Sequence, residues 1–368
     1  MSVEGVRAGL RSLAAVAGAV IVAAGTAAHT DRPAAAEADP GGVQAPPRDE
    51  AVVGQLNLWG SVAHYGQVEG PVSAVAAEVR AHEPLALTLQ EACENQVEAL
   101  AADLDGYGYV FEPVRSPEVT TGGEREPMRC RGIPGQEAQE SDAEQPRFGN
   151  AVLVRQDAGF AEQGDPDVGR FDLGTTGERE RRTMVCTPSQ DRGLAVCSTH
   201  LSAGEVPDVR EAEVRVAADR IQEHYGDGTA VLGGDLNMQP HEAAIDFLYH
   251  PAYDHPEWTE YPGQGHLRHL MSTCGDRMSA ECREGAATFD GVDSARQHTR
   301  TPERQLDHLF ASTDVAVRGS RVTEPPQGCD NPVHGVDHEE VPDEVAEQET
   351  ISCSDHEMLW AQIGLPQP

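Results

Sequence analysis

Positive charge is what this sequence has least of. Its 368 residues carry 27 basic side chains against 62 acidic ones, a formal charge of −35. Cation-rich surfaces supply most of the affinity of nucleic-acid binders, so a surface of this balance repels polyanions and speaks against a tight nucleic-acid-binding module. It leaves the reaction class open, because a metal-loaded cleft can hold one phosphate locally. No Cys-x-x-Cys spacing occurs among the eight cysteines, which removes the usual thiolate zinc site. No internal repeat is present. Beyond the N-terminal region no apolar run reaches the length of a membrane span, and no exposed apolar hairpin suited to membrane insertion stands out.

What is there begins with an address. Arg7 and Arg11 precede an apolar stretch over residues 13–28, and Ala34, Ala35 and Ala36 offer a cleavage site, the layout of a secretory signal peptide at residues 1–36. The stretch is slightly short for an uncleaved anchor. Residues 37–50, with Pro40, Gly41, Gly42, Pro46 and Pro47, read as a flexible linker, and residues 51–364 as one domain. The mature protein is expected outside the cell as a monomer, with no transmembrane segment and no stable protein partner. An even number of cysteines in an exported chain points to disulfides. Eight cysteines allow on the order of a hundred pairings, and the sequence does not choose among them. One has a physical argument: Cys186 and Cys197 flank the turn-rich residues 188–193, and facing hairpin strands bring Cα atoms within disulfide reach. Neighbour pairings Cys274–Cys282 and Cys329–Cys353 fit beside it, and Cys93–Cys130 then follows by elimination.

Along the domain, residues 51–58 read as a strand ending at Asn57. Val72, Val75, Ala76 and Val79 recur at helical spacing within 68–81, and Pro84 closes that helix. Residues 85–89 form a buried strand that delivers Gln90 and Glu91. A second helix is expected over 92–104 and strands over 107–111 and 149–154. The charged stretch between them, 112–147, reads as a surface loop tied down by Cys130. Residues 184–186 and 194–201 are hairpin arms, the second ending in Thr199 and His200. The strongest helix runs over 206–225, and Gly226 and Gly228 stop it before a strand at 229–233. Residues 241–305 read as a helix followed by irregular insertions, 306–312 and 315–322 as strands, 335–350 as a solvated loop and 358–363 as the closing strand. Alternating strands and helices, with hairpins in the middle, imply a layered α/β architecture with mixed sheets.

Three Asp-centred motifs stand at the ends of these strands: Gly234-Asp235-Leu236-Asn237, Asp307-His308 and Ser354-Asp355-His356. Phosphodiester cleavage needs a cation for the non-bridging oxygens, a base for water and a proton or metal for the leaving oxygen. Mg²⁺ prefers oxygen ligands, usually one or two carboxylates plus water, and Glu91 and Asp355 suit that role. Asn57 and Asn237 offer an amide oxygen to metal or an amide NH₂ to phosphate. Asp235 can accept a proton or orient water, and His200 and His356 titrate near neutrality. Asp307 can hold an imidazole in its productive tautomer. His308 points to the opposite face of its strand and is read as structural. His64, His334 and His338 lie in polar loops and are expected to be exposed, and Trp59 and Tyr65 are read as packing.

The ordered series Asn57, Gln90-Glu91, Thr199-His200-Leu201, Gly234-Asp235-Leu236-Asn237, Asp307-His308 and Ser354-Asp355-His356 resembles the endonuclease/exonuclease/phosphatase superfamily, over about residues 51–364. The resemblance implies an α/β (α+β) four-layer sandwich of the deoxyribonuclease-I type, two packed mixed β-sheets flanked by helices, with the site at one edge. It implies Glu91 as the principal Mg²⁺ ligand with Asn57 and Asp355 close by, Mn²⁺ or Ca²⁺ being substitutes. Asp235 and Asn237 would handle water and phosphate, His356, aided by Asp307 and Asp235, would be the catalytic imidazole that activates the attacking water, and His200 would assist the leaving group. Asn150 resembles a phosphate-contacting strand residue, and Arg182, or equally Arg181, a phosphate-touching arginine. The basic residues with which deoxyribonucleases enter a DNA groove are not located. The expected function is a secreted phosphodiesterase, nuclease favoured, with phospholipid, sphingomyelin or inositol-phosphate cleavage as the alternative. A non-catalytic extracellular binding protein would have lost a ligand or an imidazole, and none is lost here.

Overall fold

The computed structural model describes residues 49–118, 123–134, 145–174, 180–254, 263–289, 304–324, 327–338, 341 and 343–367. The expected signal peptide and all of the linker but its last two residues lie outside them; those two, Asp49 and Glu50, open the first strand.

Parallel neighbours need a crossover, and the sequence supplies two helical ones. Strands β1 (Asp49–Asn57) and β2 (Ala86–Cys93) pair in parallel, with helix α1 (Pro71–His82) between them in the chain. Proline at its first turn and the left-handed Glu83 before Pro84 set its limits, and Val72, Val75, Ala76 and Val79 form its buried stripe. Helix α2 (Glu94–Asp103) leads to β3 (Tyr107–Pro113), which pairs antiparallel with β4 (Phe148–Arg155), and β4 pairs antiparallel with β2. In the second half, β5 (Gly169–Asp172) and β6 (Thr183–Ser189) lead to β7 (Leu194–His200). Helix α3 (Pro207–Tyr225) then crosses to β8 (Thr229–Asp235), parallel to β7. Three further strands, β9 (Leu267–His269), β10 (Asp307–Ser312) and β11 (Ala316–Thr323), precede a ribbon of β12 (Gln327–Asp330) and β13 (Thr350–Ser352). Strand β14 (Met358–Leu365) closes the domain.

These strands form two six-stranded mixed sheets, ordered β11-β14-β1-β2-β4-β3 and β5-β6-β7-β8-β10-β9. Between them lies an apolar layer to which Val53, Val152 and Ile363 contribute from one side and Val185, Val196, Val231 and Leu309 from the other. Helices α1 and α2 cover the outer face of the first sheet around Leu56, Leu87 and Trp360, and α3 covers the second around Val214, Ala217 and Ile221. This is the expected four-layer sandwich. Gly233 is required where the sheets approach: a Cβ there would lie 2.1 Å from Thr88 Oγ1.

Four disulfides join Cys93–Cys130, Cys186–Cys197, Cys274–Cys282 and Cys329–Cys353. Cys186 and Cys197 face each other directly across the β6–β7 hairpin, 4.0 Å apart at Cα. Three expectations need correction. Residues 241–254 hold 3-10 turns, Ala243–Phe247 and Pro251–Tyr253, in place of a helix. The stretch read as a solvated loop, 335–350, contains a helical turn, Asp343–Ala346, and buried Val341. His64 is fully buried beside the backbone of Ser352 and Cys353, because the ribbon folds over the loop after β1. Strands β5, β9, β12 and β13 escape sequence reading because each is only three or four residues long. Among the described residues no helix is long and apolar enough to cross a membrane.

Candidate active site

The two parallel pairs point their C-terminal ends the same way, and antiparallel β10 and β14 begin at that edge. Register therefore gathers residues far apart in sequence: Asn57 opposite Gln90, His200 beside Asp235, and Asp235 opposite Asp307. Asp355 and His356 lie just before β14, one residue short of its start. Two of the gathered residues have left-handed backbone, Glu91 at φ 50° and Asn237 at φ 51°. For non-glycine residues that conformation is uncommon and clusters at functional sites. At Glu91 the β2–β4 ladder slips between Leu89 and Ala92, and such a bulge re-aims a side chain.

Asp307 anchors the centre. Its Oδ2 lies 2.7 Å from His356 Nδ1 and accepts from Thr288 Oγ1 at 2.6 Å, while Oδ1 accepts from Gln55 Nε2 at 2.8 Å. The Nδ1 bond leaves His356 Nε2 facing Asp235 Oδ2 at 3.7 Å and Asp355 Oδ1 at 3.8 Å. Phe289 stacks on the imidazole, ring centroids 4.6 Å apart. The amide of Asn57 donates to Asp235 Oδ2 at 3.1 Å and to Glu91 Oε1 at 3.2 Å, and its oxygen accepts from the Trp59 N–H. Asn57 thus turns its nitrogen to the acids. Asn237 Nδ2 lies 3.0 Å from His200 Nε2 and 3.1 Å from the Leu201 carbonyl, and its N–H donates to Asp235 Oδ1. His200 Nε2 also lies 3.4 Å from Asp235 Oδ2, while its Nδ1, a buried atom without a hydrogen-bond partner, lies 3.8 Å from Glu91 Oε1. Helix α3 fixes the segment after His200: Glu213 accepts from Ser202 N–H and Oγ at 2.8 and 2.7 Å.

Burial sets the electrostatics. It pushes the Asp355 carboxyl up to about 7, with the charges of Glu91 and Asp235 adding to the rise against the opposing pull of His356. It raises Asp235 as well, Asp307 adding to the effect. For His356 burial pulls the other way and is outweighed by Asp307, Asp355 and Asp235, so its pKa stands well above the ordinary imidazole value. His200, lowered by burial and then by the nearby charges of Arg182 and His356, is neutral.

Of the ten expected site residues, Asn57, Glu91, His200, Asp235, Asn237, Asp307, Asp355 and His356 meet in this one cluster. Arg182 is close enough to His200 to depress its pKa and is itself paired with Glu180, whereas Arg181 turns to Asp172. Asn150 is buried on β4 and donates to the Thr183 carbonyl, 2.9 Å away, at the base of β6. Sequence reading missed the layer beneath. Gln55 donates to Gln90 at 2.7 Å, Gln90 donates to Ser198 at 3.0 Å, and Thr288 and Phe289 hold the Asp307–His356 pair from the side. Strand alternation puts Gln55 on the same face as Asn57, which is a usable signal. Thr288 and Phe289 sit in an irregular stretch and give none.

The residues fit a hard divalent cation. Glu91, Asp235 and Asp355 crowd carboxylates whose mutual repulsion a cation would relieve, and all are oxygen donors. Ligand atoms of Asp235, Asp307 and His356 also lie within 4.8 Å of one another. Both Asp307 oxygens are already taken by Gln55, Thr288 and His356, so Glu91 and Asp355 are the better-suited pair.

Solved structures with this architecture include an endonuclease/exonuclease/phosphatase family protein from Bacteroides thetaiotaomicron, at 15% identity and a TM-score of 0.54, covering 87% of this chain and 99% of that one. A mannosyl-6-phosphatase of Bacteroides thetaiotaomicron matches at 16% identity and TM-score 0.52, over 85% and 99% of the two chains. TDP2 of D. rerio, solved with a single-strand DNA product, matches at 12% and 0.53, over 85% and 98%. At such identities the likeness is one of fold. No curated protein matches the sequence. The sequence profile of the Endonuclease/Exonuclease/phosphatase family matches residues 54–356, from within β1 to His356. With that match covering most of the sandwich and the whole site, the chain belongs to the endonuclease/exonuclease/phosphatase family, whose members hydrolyse phosphate esters.

Proposed function

We propose that this protein is a secreted, divalent-metal-dependent phosphodiesterase acting on nucleic acid. The observation that carries the reading is the Asp307–His356 bond of 2.7 Å, with Asp235 facing the other ring nitrogen beside Glu91 and Asn57. Four disulfides support a life in an oxidising compartment.

Glu91 and Asp355 would hold the cation, Mg²⁺ first, with Mn²⁺ or Ca²⁺ as substitutes. When bound, it supplies Lewis-acid stabilisation of charge on the phosphate oxygens. Asp235, whose proton affinity burial raises, takes the proton of the attacking water. This moves the base from His356, which the sequence had favoured, because three carboxylates keep that imidazole charged. As a cation fixed by Asp307, His356 donates to a phosphoryl oxygen as negative charge grows there. Neutral His200, held by Asn237, would support the departing oxygen, whose growing charge the cation would offset. Asn237 orients His200 and Asp235 together. Arg182 and Asn150 flank the phosphate.

The test is hydrolysis of plasmid DNA, RNA, sphingomyelin and bis-p-nitrophenyl phosphate by purified protein, with Mg²⁺ and with chelator. DNA or RNA should be cleaved in Mg²⁺ and spared in chelator; cleavage of sphingomyelin alone would shift the substrate to phospholipid. Glu91→Gln and His356→Ala should each lower kcat by at least about 10³-fold with unchanged circular dichroism. Near-normal turnover by either variant would remove the assignment.

A further inference from the structure

All 27 basic residues of this acidic chain are arginines, and they are not evenly spread. Strand β3 ends, and β4 and β6 begin, at the same edge as the site, and the segments beyond them run together. Arg115 and Arg181 exchange backbone hydrogen bonds of 3.1 and 2.9 Å, bridging the two sheets. Arg129 and Arg147 form a second cross-strand pair, flanked by the bonds Cys130 N–H to Pro146 O and Phe148 N–H to Met128 O. Arg131 follows just beyond Cys130 and is exposed like Arg129. Like charges placed directly opposite each other destabilise a ribbon unless something anionic lies over them.

Acids answer part of this charge. Arg115 pairs with Glu112, Arg147 with Glu94 and Arg181 with Asp172. Arg129 and Arg131 are exposed, and among the described residues neither has a carboxylate partner; the Arg129 guanidinium reaches only the Gln145 carbonyl, at 2.7 Å. The segment is fastened to the site. Cys130 is bonded to Cys93, two residues after Glu91, and Arg131 N–H donates to Ser61 Oγ at 3.1 Å, in the loop that follows Asn57. Arg182, next in sequence to Arg181 and paired with Glu180, lies near enough to His200 to depress its pKa.

We infer that Arg181, Arg115, Arg129, Arg131 and Arg147, running outward from Arg182, form a track for the phosphates of a nucleic-acid strand beyond the scissile bond. The inference rests on the phosphodiesterase reading and narrows it to substrates with several phosphates in a row. Guanidinium forks grip phosphate in pairs of hydrogen bonds, and a localised row of them overcomes a repulsive average surface at short range.

The test compares wild type with the Arg129→Ala/Arg131→Ala double variant on a short single-stranded oligonucleotide and on bis-p-nitrophenyl phosphate. Binding of the labelled oligonucleotide is followed in parallel by fluorescence anisotropy. The double variant should lose about tenfold or more in kcat/KM and in affinity for the oligonucleotide, and keep its kcat/KM on the small diester. Its slope of log affinity against log salt should be shallower by roughly 1.4, two phosphates' worth. Arg129→Lys/Arg131→Lys should keep the wild-type slope, which separates lost charge from local misfolding. Unchanged oligonucleotide affinity and slope in the alanine variant would overturn the track. So would wild type that cleaves the small diester and binds no oligonucleotide. Failure of wild type on both substrates would instead count against the phosphodiesterase reading, and the anisotropy would still judge the track.

Discussion

Asp307 sets which way the imidazole of His356 faces. Three side chains from distant parts of the chain, Gln55, Thr288 and His356, converge on its two oxygens. Thr288 is the least expected of them. Its Oγ1 donates to Asp307 Oδ2 and accepts from the N–H groups of Leu306 and Asp307, so one hydroxyl fixes both the carboxylate and the strand entry behind it. Thr288→Val should lower kcat roughly tenfold with little change in KM, and cost about 1–3 kcal/mol for the groups left without a partner. Thr288→Ser keeps the hydroxyl and should restore turnover. Steady-state kinetics with urea denaturation would check both; a Val variant with normal kcat would show that Asp307 holds its place without Thr288.

At the scale of elements, the strands aim residues and the disulfides fasten what the strands leave loose. Cys93 stands two residues after Glu91, and Cys353 two before Asp355. The β12–β13 ribbon has only three paired positions, too few for independent stability, so the Cys329–Cys353 bond holds it where it leads into Asp355 and His356. Removing that bond with Cys329→Ser/Cys353→Ser should cost on the order of 3 kcal/mol. It should also weaken Mn²⁺ binding, read by electron paramagnetic resonance, by about tenfold. Unaltered Mn²⁺ affinity in a destabilised variant would mean that the ribbon contributes to folding alone. The β6–β7 hairpin differs, since its six paired positions already fix the register that Cys186–Cys197 locks.

For the whole molecule, buried histidines tie stability to pH. Burial lowers both His64, under the loop after β1, and His308, whose Nε2 lies 2.8 Å from the Met238 carbonyl, from 6.5 to about 4. Folded, each ring takes its proton only near pH 4; unfolded, it takes one near 6.5. Between those values the unfolded chain binds more protons, so each histidine makes stability fall as pH drops through that window, by up to about 1.4 kcal/mol per pH unit. His64→Gln and His308→Gln should each flatten the pH dependence of urea-derived stability between 6.5 and 4; an unchanged slope would mean that the ring is protonated in the fold. The same two residues mark what could be read beforehand. His308 follows from strand alternation, whereas His64 lies in a polar stretch, and only the ribbon's Ser352 and Cys353, far along the chain, bury it. Sequence by itself determined the layered fold and the order of the acids and imidazoles, because apolar periodicity and strand-end motifs are local. Tertiary structure alone decided that His356 faces Asp235 as well as Asp307, that the Thr288 hydroxyl bonds Asp307, and that Arg115 meets Arg181 and Arg129 meets Arg147 along the backbone. Those outcomes depend on distance and burial across sheets, which no local pattern in the chain records.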